Sequence, residues 1–292
     1  MRKLRDVMRT PAAQAAVRLA LDEDLGSPWC DATSEALVDP EAVATGEIYS
    51  KGTGCVVAGA TVAAAVLRAV DPKVRVKILK PDGSVVKPKE PILVFRGKAR
   101  SILAAERTAL NFMQRMSATA TLAKKFVDAT KKYGTLILDT RKTTPGLRVF
   151  QKYAVTCGGG TNHRFGMFDR VLMKDNHRRL WRGGNPDELD QAVVAARRRF
   201  PKLAVEVEVE SLRECASALK ARPEWIMLDN MSCADMKKCV KLCAGRVKTE
   251  ASGGITLDQA KKVAATGVTA ISLGCLTHSA GSVDLSLEWR AV

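Results

Sequence analysis

The chain has 292 residues, 46% of them hydrophobic and 27% charged, which is ordinary globular composition with room for one large or two moderate cores. No apolar run approaches the ~20 residues a membrane-spanning helix needs, and the eight cysteines include no Cys-x-x-Cys pair, which disfavours a zinc ribbon or a disulfide scaffold. A net charge of +16 suggests a polyanionic partner, yet Lys and Arg are spread along the chain and only three Tyr and seven Phe could stack on bases. A basic cleft for a small, multiply charged substrate explains the same charge as well, by electrostatic focusing, and the charge alone does not decide between them; the partner expected from the whole reading is a small molecule, with no nucleic acid and no membrane.

The opening MRKLRDVMRT is basic but leads into no apolar h-region, and Asp6 with Asp22-Glu23-Asp24 argues against a mitochondrial presequence. The expectation is a cytoplasmic protein. Thr10-Pro11 marks a helix start, and that helix runs to about Leu25 and stops at Gly26. From Thr45 to Val70 the pattern reads strand, glycine-rich turn and alanine-rich helix. Val74 to Leu79 and Val85 to Val86 flank Pro81-Asp82-Gly83-Ser84, a hairpin turn pattern. Pro91 to Phe95 is another strand. Ser101 then caps a long helix whose apolar stripe is Ile102, Ala105, Ala109, Phe112, Met113 and Met116, with Glu106, Arg107, Asn111 and Arg115 off it. Residues 1–112 therefore predict an α+β sandwich domain, to which the tail 279–292 returns.

From Thr135 the rhythm changes. Strand-like runs begin near residues 135, 170, 204, 225, 247 and 270, each pair separated by a helix-sized segment. Such alternation predicts a parallel α/β sheet over 113–278, closed into a barrel or left open and doubly wound. In Val205-Glu206-Val207-Glu208-Val209-Glu210 the valines face one side and the glutamates the other. Inward glutamates would need cations, for which Lys174, Lys248 and Lys142 are candidates. Cys233, Cys239 and Cys243 cluster without a histidine and read as small buried thiols on a helix face.

The stretch Leu136 to His177 concentrates the chemistry. Its two apolar runs end in Asp139-Thr140-Arg141-Lys142 and in Lys174-Asp175-Asn176-His177, and between them lie Gly158 to Gly160 and Asn162-His163-Arg164. Later runs end in Glu208 to Glu210, Asp229-Asn230, Ser252-Gly253-Gly254, and Gly274 with His278. In parallel architectures that end of the strands binds ligands. Ser252-Gly253-Gly254 and Ser272-Leu273-Gly274 suit a phosphate, because glycine lets backbone N–H groups approach it.

The segments DTRKTTPGLR, KYAVTCGGGTNHR and KDNH resemble the quinolinate phosphoribosyltransferase family, the decarboxylating nicotinate-nucleotide pyrophosphorylases, and the similarity runs from about Leu21 to Leu287. The resemblance implies a barrel of fewer than eight strands and transfer of phosphoribosyl from phosphoribosyl pyrophosphate to quinolinate, with loss of CO₂. It implies that Arg141, Arg164, Lys174 and His163, with Thr140, surround quinolinate, and that Arg107 reaches in from a partner subunit of a homodimer or of a larger assembly of dimers. Lys142 would serve the pyrophosphate side. Ser252, Gly253, Gly254, Gly274 and His278 would hold the 5-phosphate. Glu208 and Asp229 would hold ribose hydroxyls directly or through Mg²⁺, and with Lys142 and Lys174 they form the implied catalytic set. His177 reads as structural. Met116-Ser117-Ala118-Thr119-Ala120 departs from the family's usual Leu-Ser-Gly-Ile-Ala, and Trp29-Cys30 stands where Gly-Asp is common; neither touches the charged set. A relative with the same fold and another acceptor, of the kind linked to molybdenum transport, is the alternative; paired Arg141 and Arg164 with Lys174 favour a dicarboxylate.

Overall fold

The computed structural model describes residues 7–181, 183–185 and 188–290. In chain order the elements are α1 (Pro11–Leu25), α2 (Ala32–Leu37), β1 (Val43–Ser50), β2 (Cys55–Val56), α3 (Ala60–Val70), β3 (Arg75–Ile78), β4 (Val85–Val86), β5 (Pro91–Lys98), α4 (Ala99–Thr130), β6 (Leu136–Leu138), α5 (Arg148–Cys157) and β7 (Val171–Met173). There follow α6 (Asp175–Leu180), α7 (Leu189–Arg199), β8 (Val205–Val209), α8 (Leu212–Lys220), β9 (Trp225–Asp229), α9 (Cys233–Cys243), β10 (Lys248–Ser252), α10 (Leu257–Ala264), β11 (Ala270–Ser272), α11 (Cys275–His278) and β12 (Leu285–Arg290). They form two compact units. One takes the chain up to Lys124, Lys142–Gly159 and the residues from Cys275 onward; the other takes Lys125–Arg141 and Gly160–Gly274.

The first unit is built on an antiparallel sheet in the order β12-β1-β5-β3. The central strand β1 carries Gly46, which would normally weaken a strand. The ring of Phe95, its partner on β5, lies across that gap: a Cβ at Gly46 would sit 2.6 Å from Phe95 Cζ. Trp289 of β12 meets Phe95 edge-on with centroids 6.2 Å apart. Helix α1 begins as expected, with Thr10 Oγ1 accepting from the Ala13 amide at 3.3 Å and Pro11 in its first turn. Helix α4 begins two residues before Ser101, whose hydroxyl donates to Asp71 at 3.0 Å instead of capping. Its stripe behaves as read, with Ile102, Ala105, Ala109, Met113 and Met116 buried and Arg107 exposed. Phe112 packs on Phe150 of α5 with centroids 4.9 Å apart.

The hairpin expected around Pro81 to Ser84 does not form, since β3 pairs with β5 and β4 pairs with β2. The turn residues have another use. Asp82 Oδ1 accepts from the Ala60 amide at the start of α3 at 2.9 Å, and Asp82 Oδ2 accepts from the Tyr153 hydroxyl of α5 at 2.8 Å. A local turn pattern cannot reveal that its aspartate is claimed by two distant elements.

The second unit holds six parallel strands in the order β6-β11-β10-β9-β8-β7. The strands β7 to β11 follow one another without reversal, and the first strand, β6, lies beside the last. A doubly wound sheet reverses direction part-way; this order is that of a barrel with one seam. Among the described residues no ladder joins β6 to β7. The edge of β6 on that side is taken by Thr161, whose amide donates to the Ile137 carbonyl at 2.7 Å while its own carbonyl accepts from Asp139. One face of the sheet is apolar, with Val205, Val207, Val209, Ile226, Leu228, Ala251 and Ile271 buried. The alternation read in the glutamate strand is therefore correct for Glu206 and Glu208, both buried, whereas Glu210 lies beyond the strand and is exposed. On the helices, Cys239 and Cys243 are buried with Cys215, whose sulfur is 3.9 Å from that of Cys243. Cys233 is exposed, contrary to expectation, because six residues from Cys239 is off the shared helical face.

Tyr153→Phe should lower stability by about 1–3 kcal/mol, because burial would leave one Asp82 oxygen without its donor. Urea unfolding of this variant beside Tyr133→Phe, an exposed control, checks the estimate.

Candidate active site

Strand register decides which side chains share the inner face of the second unit. Glu206 pairs with Trp225 and Trp225 with Lys248; Glu208 pairs with Met227 and Met227 with Glu250; Asp229 pairs with Ser252. Lys174 follows β7 in phase with Leu172, the partner of Glu206. Alternation then puts Lys174, Glu208, Asp229 and Ser252 on one face at the C-terminal end of four adjacent strands.

These groups meet. Lys174 Nζ donates to Glu208 Oε2. Burial raises the Glu208 pKa, Lys174 opposes the rise, and the charge of Asp229 adds to it. Asp229 Oδ2 accepts from its neighbour Asn230 at 2.8 Å. Arg164 is buried and feels Arg141: burial first, then Arg141, lowers its pKa, with Glu206 and Asp169 acting the other way. Arg164 also donates to the Arg170 carbonyl at 3.2 Å. Arg141 is exposed and Thr140 half-buried at the end of β6. Two guanidinium groups, one ammonium and two carboxylates thus gather at the strand ends of this unit.

Deeper in the same face lies a second cluster. Glu206 and Glu250 are fully buried. His163 Nε2 is 3.2 Å from Glu206 Oε2 and 3.3 Å from Glu250 Oε2, and Arg170 pairs with Glu206 at 3.0 Å. Burial lowers the His163 pKa, but the two glutamates outweigh it and push it up to about 9. Asp139, fully buried beyond β6, accepts from the His163 amide at 2.9 Å and the Asn162 side chain at 2.6 Å. In a flat sheet β6 and β8 would lie roughly 19 Å apart, at ~4.8 Å per strand. One histidine joins the end of β6 to β8 and β10 only because the sheet curls around it.

The cations expected for the inward glutamates need one correction. Lys174 does serve Glu208, but Glu206 takes Arg170, and Lys248 lies over the Trp225 ring at 5.3 Å. The sequence reading missed Arg170 because it precedes the apolar run of β7, while the strand register places it beside Glu206 on the adjacent strand β8. Two donor sets could hold a cation. In one, His163, Glu206 and Glu250 have ligand atoms within 4.8 Å of one another; the other is the buried Glu208 with the half-buried Asp229.

The glycine loop after β10 is sterically determined. Gly253 has φ +103°, and a Cβ there would lie 2.1 Å from Asn230 Oδ1. Gly254 also has positive φ but faces open space. Helix α10 follows, with Thr256 as N-cap. Gly274 is half-buried after β11. His177 supports the structural reading: its Nδ1 accepts from the Lys174 amide at 3.1 Å, closing the first turn of α6.

The remaining candidates belong to the first unit. Arg107 is exposed on α4, and His278 is exposed, 2.5 Å from the Ser279 hydroxyl. The Lys142 carbonyl accepts from Thr277 at 2.6 Å. Gln151, a residue the sequence gave no reason to choose, joins Thr144 to Thr277: its oxygen accepts from the Thr144 amide at 2.9 Å and its nitrogen donates to the Thr277 carbonyl at 2.6 Å.

A singly wound parallel sheet with a charged cluster at its strand ends and glycine loops on the last two strands defines a barrel-type ligand-binding unit. Comparison with known proteins gives the family. Residues 31–117 match the quinolinate phosphoribosyl transferase N-terminal domain and residues 119–288 its C-terminal domain, and the chain belongs to this family. It is 40% identical over 290 residues to the chloroplastic nicotinate-nucleotide pyrophosphorylase [carboxylating] of Oryza sativa subsp. japonica, covering 94% of this chain and 77% of that protein. It is also 40% identical to the nicotinate-nucleotide pyrophosphorylase [carboxylating] of Mycobacterium leprae, covering 95% and 97%. Among solved structures, the nicotinate-nucleotide pyrophosphorylase from Francisella tularensis superposes with a TM-score of 0.90 at 37% identity, covering 98% and 99%.

Gly253→Ala should cost about 2–5 kcal/mol, from the left-handed backbone and the clash with Asn230, and Gly254→Ala only about 1–2 kcal/mol from the backbone. Urea midpoints of the two variants test this ordering.

Proposed function

We propose that this protein transfers the phosphoribosyl group of phosphoribosyl pyrophosphate to quinolinate and releases pyrophosphate and CO₂, leaving nicotinate mononucleotide. The observation that carries the reading is the pairing of a cation group, Arg141, Arg164 and Lys174, with two carboxylates, Glu208 and Asp229, at the strand ends of a chain in this family. Adjacent carboxylates of a planar ring call for planar, bidentate donors, which arginine supplies.

The pyridine nitrogen attacks the anomeric carbon while the bond to pyrophosphate breaks through an oxocarbenium-like state. The nitrogen is then cationic, and it accepts the electron pair of the C–C bond when the 2-carboxylate leaves as CO₂; a proton takes the vacated ring carbon. No nucleophile of the protein is required. Alignment and charge stabilisation carry the rate. Arg141, Arg164 and Lys174, with Thr140, orient quinolinate, and Lys142 faces the leaving pyrophosphate. Ser252, Gly253, Gly254, Gly274 and His278 receive the 5-phosphate.

Glu208 and Asp229 hold the ribose hydroxyls and fit Mg²⁺. Glu208 is buried and Asp229 half-buried; they offer hard oxygen donors from neighbouring strands and are too few to complete a shell alone, which suits an ion that keeps water and substrate ligands. The ion would offset phosphate charge. The deeper His163 cluster already has Arg170 and suits a cation less.

We further propose a homodimer in which the exposed Arg107 completes the partner's site, alone or within a larger assembly of dimers. No helix of the described residues is long and apolar enough to cross a membrane. The eight free cysteines suit a reducing compartment, and we assign the cytoplasm.

Incubation with quinolinate, phosphoribosyl pyrophosphate and Mg²⁺ should release CO₂ and pyrophosphate in equal amounts; release of neither would overturn the reading. Arg164→Ala should lose about 2–5 kcal/mol of transition-state stabilisation, read as at least a ~30-fold fall in kcat/KM for quinolinate with phosphoribosyl pyrophosphate binding retained. Coexpression of Arg107→Ala and Lys142→Ala chains, each inactive alone, should restore about a quarter of the sites, because half the dimers are mixed and each mixed dimer has one intact site. No recovery with mixed dimers confirmed by mass would remove Arg107 from a shared site.

A further inference from the structure

Three consecutive residues ahead of α5 are each held by a side chain from further along the chain, although none of them lies in a helix or strand. The Lys142 carbonyl accepts from the Thr277 hydroxyl at 2.6 Å, the Thr143 hydroxyl accepts from Arg148 Nε at 3.0 Å, and the Thr144 amide donates to Gln151 Oε1 at 2.9 Å. Gln151 Nε2 donates in turn to the Thr277 carbonyl at 2.6 Å, and both Thr277 and Gln151 are buried. These bonds close a ring that runs from Thr277 to Lys142, along the chain to Thr144, through the Gln151 carboxamide and back to Thr277. From this ring we infer that Thr277 and Gln151 are positioning residues, which fix the backbone of Lys142 relative to that of His278 and so set the grip on the two phosphate ends of phosphoribosyl pyrophosphate. The inference deepens the proposed function and, in its kinetic part, rests on it.

Backbone chemistry dictates how the ring is oriented. An amide N–H only donates and a carbonyl only accepts, so Gln151 must turn its oxygen to Thr144 and its nitrogen to Thr277. An apolar side chain of the same length serves neither. Thr277 lies in the last turn of α11, where carbonyls have no partner within the helix, and the Gln151 nitrogen caps one of them. The hydroxyl of the same threonine reaches Lys142, so Thr277 is tied through both its backbone and its side chain. On the other side of the ring the Thr144 carbonyl accepts from the Leu147 amide at 3.1 Å, and α5 begins immediately after.

The residue after Thr277 is His278, and the side chains of His278 and Lys142 are both exposed. On the proposed function, Lys142 faces the pyrophosphate on C1 of the ribose and His278 the phosphate on C5. Two cations that had to be brought to the right separation as the substrate arrived would give up part of their binding energy to that ordering. A ring closed beforehand removes the loss, since the spacing exists before the ligand binds. Arg141, Arg164 and Lys174, assigned to quinolinate, take no part in the ring. Opening it therefore weakens the hold on one substrate and spares the other.

The test compares three variants of the full-length protein. Thr277→Val removes the hydroxyl and keeps the shape, Thr277→Ser keeps the hydroxyl, and Gln151→Met removes donor and acceptor at nearly constant length. The KM for phosphoribosyl pyrophosphate should rise roughly tenfold in Thr277→Val and in Gln151→Met, the worth of about one hydrogen bond to a buried group, with that for quinolinate within about twofold of wild type. Thr277→Ser should recover most of the loss. The double variant Thr277→Val with Gln151→Met should be no worse than either single one, because one opening already frees the ring. An unchanged KM for phosphoribosyl pyrophosphate, equal rises for both substrates, or a serine variant no better than the valine one would overturn the inference and leave a packing role only. A second readout needs no turnover: calorimetry with inorganic pyrophosphate should show weaker binding to Thr277→Val than to wild type, again recovered by Thr277→Ser. Should Thr277→Val fail to fold, Gln151→Met and Thr277→Ser carry both comparisons. If the wild-type protein does not turn over quinolinate, the functional reading fails, and pyrophosphate binding still decides the ring: no binding, or equal binding by wild type and variants, overturns it.

Discussion

A carboxylate on the inner face of a parallel sheet must find a cation or keep a proton, since an uncompensated buried charge costs more than a domain's usual stability margin can absorb. Glu206 and Glu250 impose that condition here. Arg170 arrives from the residue before β7, His163 from the segment after α5, and Asp139 anchors that segment from the end of β6. The Arg170 contact lies between the paired strands β7 and β8, whereas those of His163 and Asp139 join the end of β6 to β8 and β10, which strand pairing leaves apart and a curled sheet brings together.

The layer above is less comfortable. Glu208 is disturbed by Asp229, and Arg164 by Arg141, so like charges of both signs lie near one another at the strand ends. Such an arrangement lowers the stability of the free protein. On the proposed function, it would be relieved by a ligand set that carries several negative charges together with a divalent cation. Stability given up at a binding site is the usual counterpart of affinity for a highly charged substrate. The net charge of +16 belongs to the same explanation, because a basic surface raises the local concentration of anions.

In the first unit, hydrogen bonds of buried side chains join elements far apart in sequence. Asp82 ties the start of α3 to Tyr153, and Gln151 ties Thr144 to Thr277, which in turn holds the Lys142 carbonyl. Through these bonds the proline- and glycine-containing segment before α5 is fixed without any regular secondary structure of its own.

The sequence by itself determined the strand–helix alternation, the inward phase of Glu206 and Glu208, and the charged strand ends, because side-chain alternation and hydrophobic period are local properties. Its motif order also determined the family. Only the tertiary structure decided that β6 lies beside β11, that Pro81 to Ser84 is no hairpin, that Ser101 bonds Asp71, and that Glu206 is met by Arg170 instead of a lysine from a neighbouring strand. It decided too that the His163 ring lies between Glu206 and Glu250. Each of these depends on which distant residue curvature or packing brings within about 3 Å, and no local pattern encodes that distance.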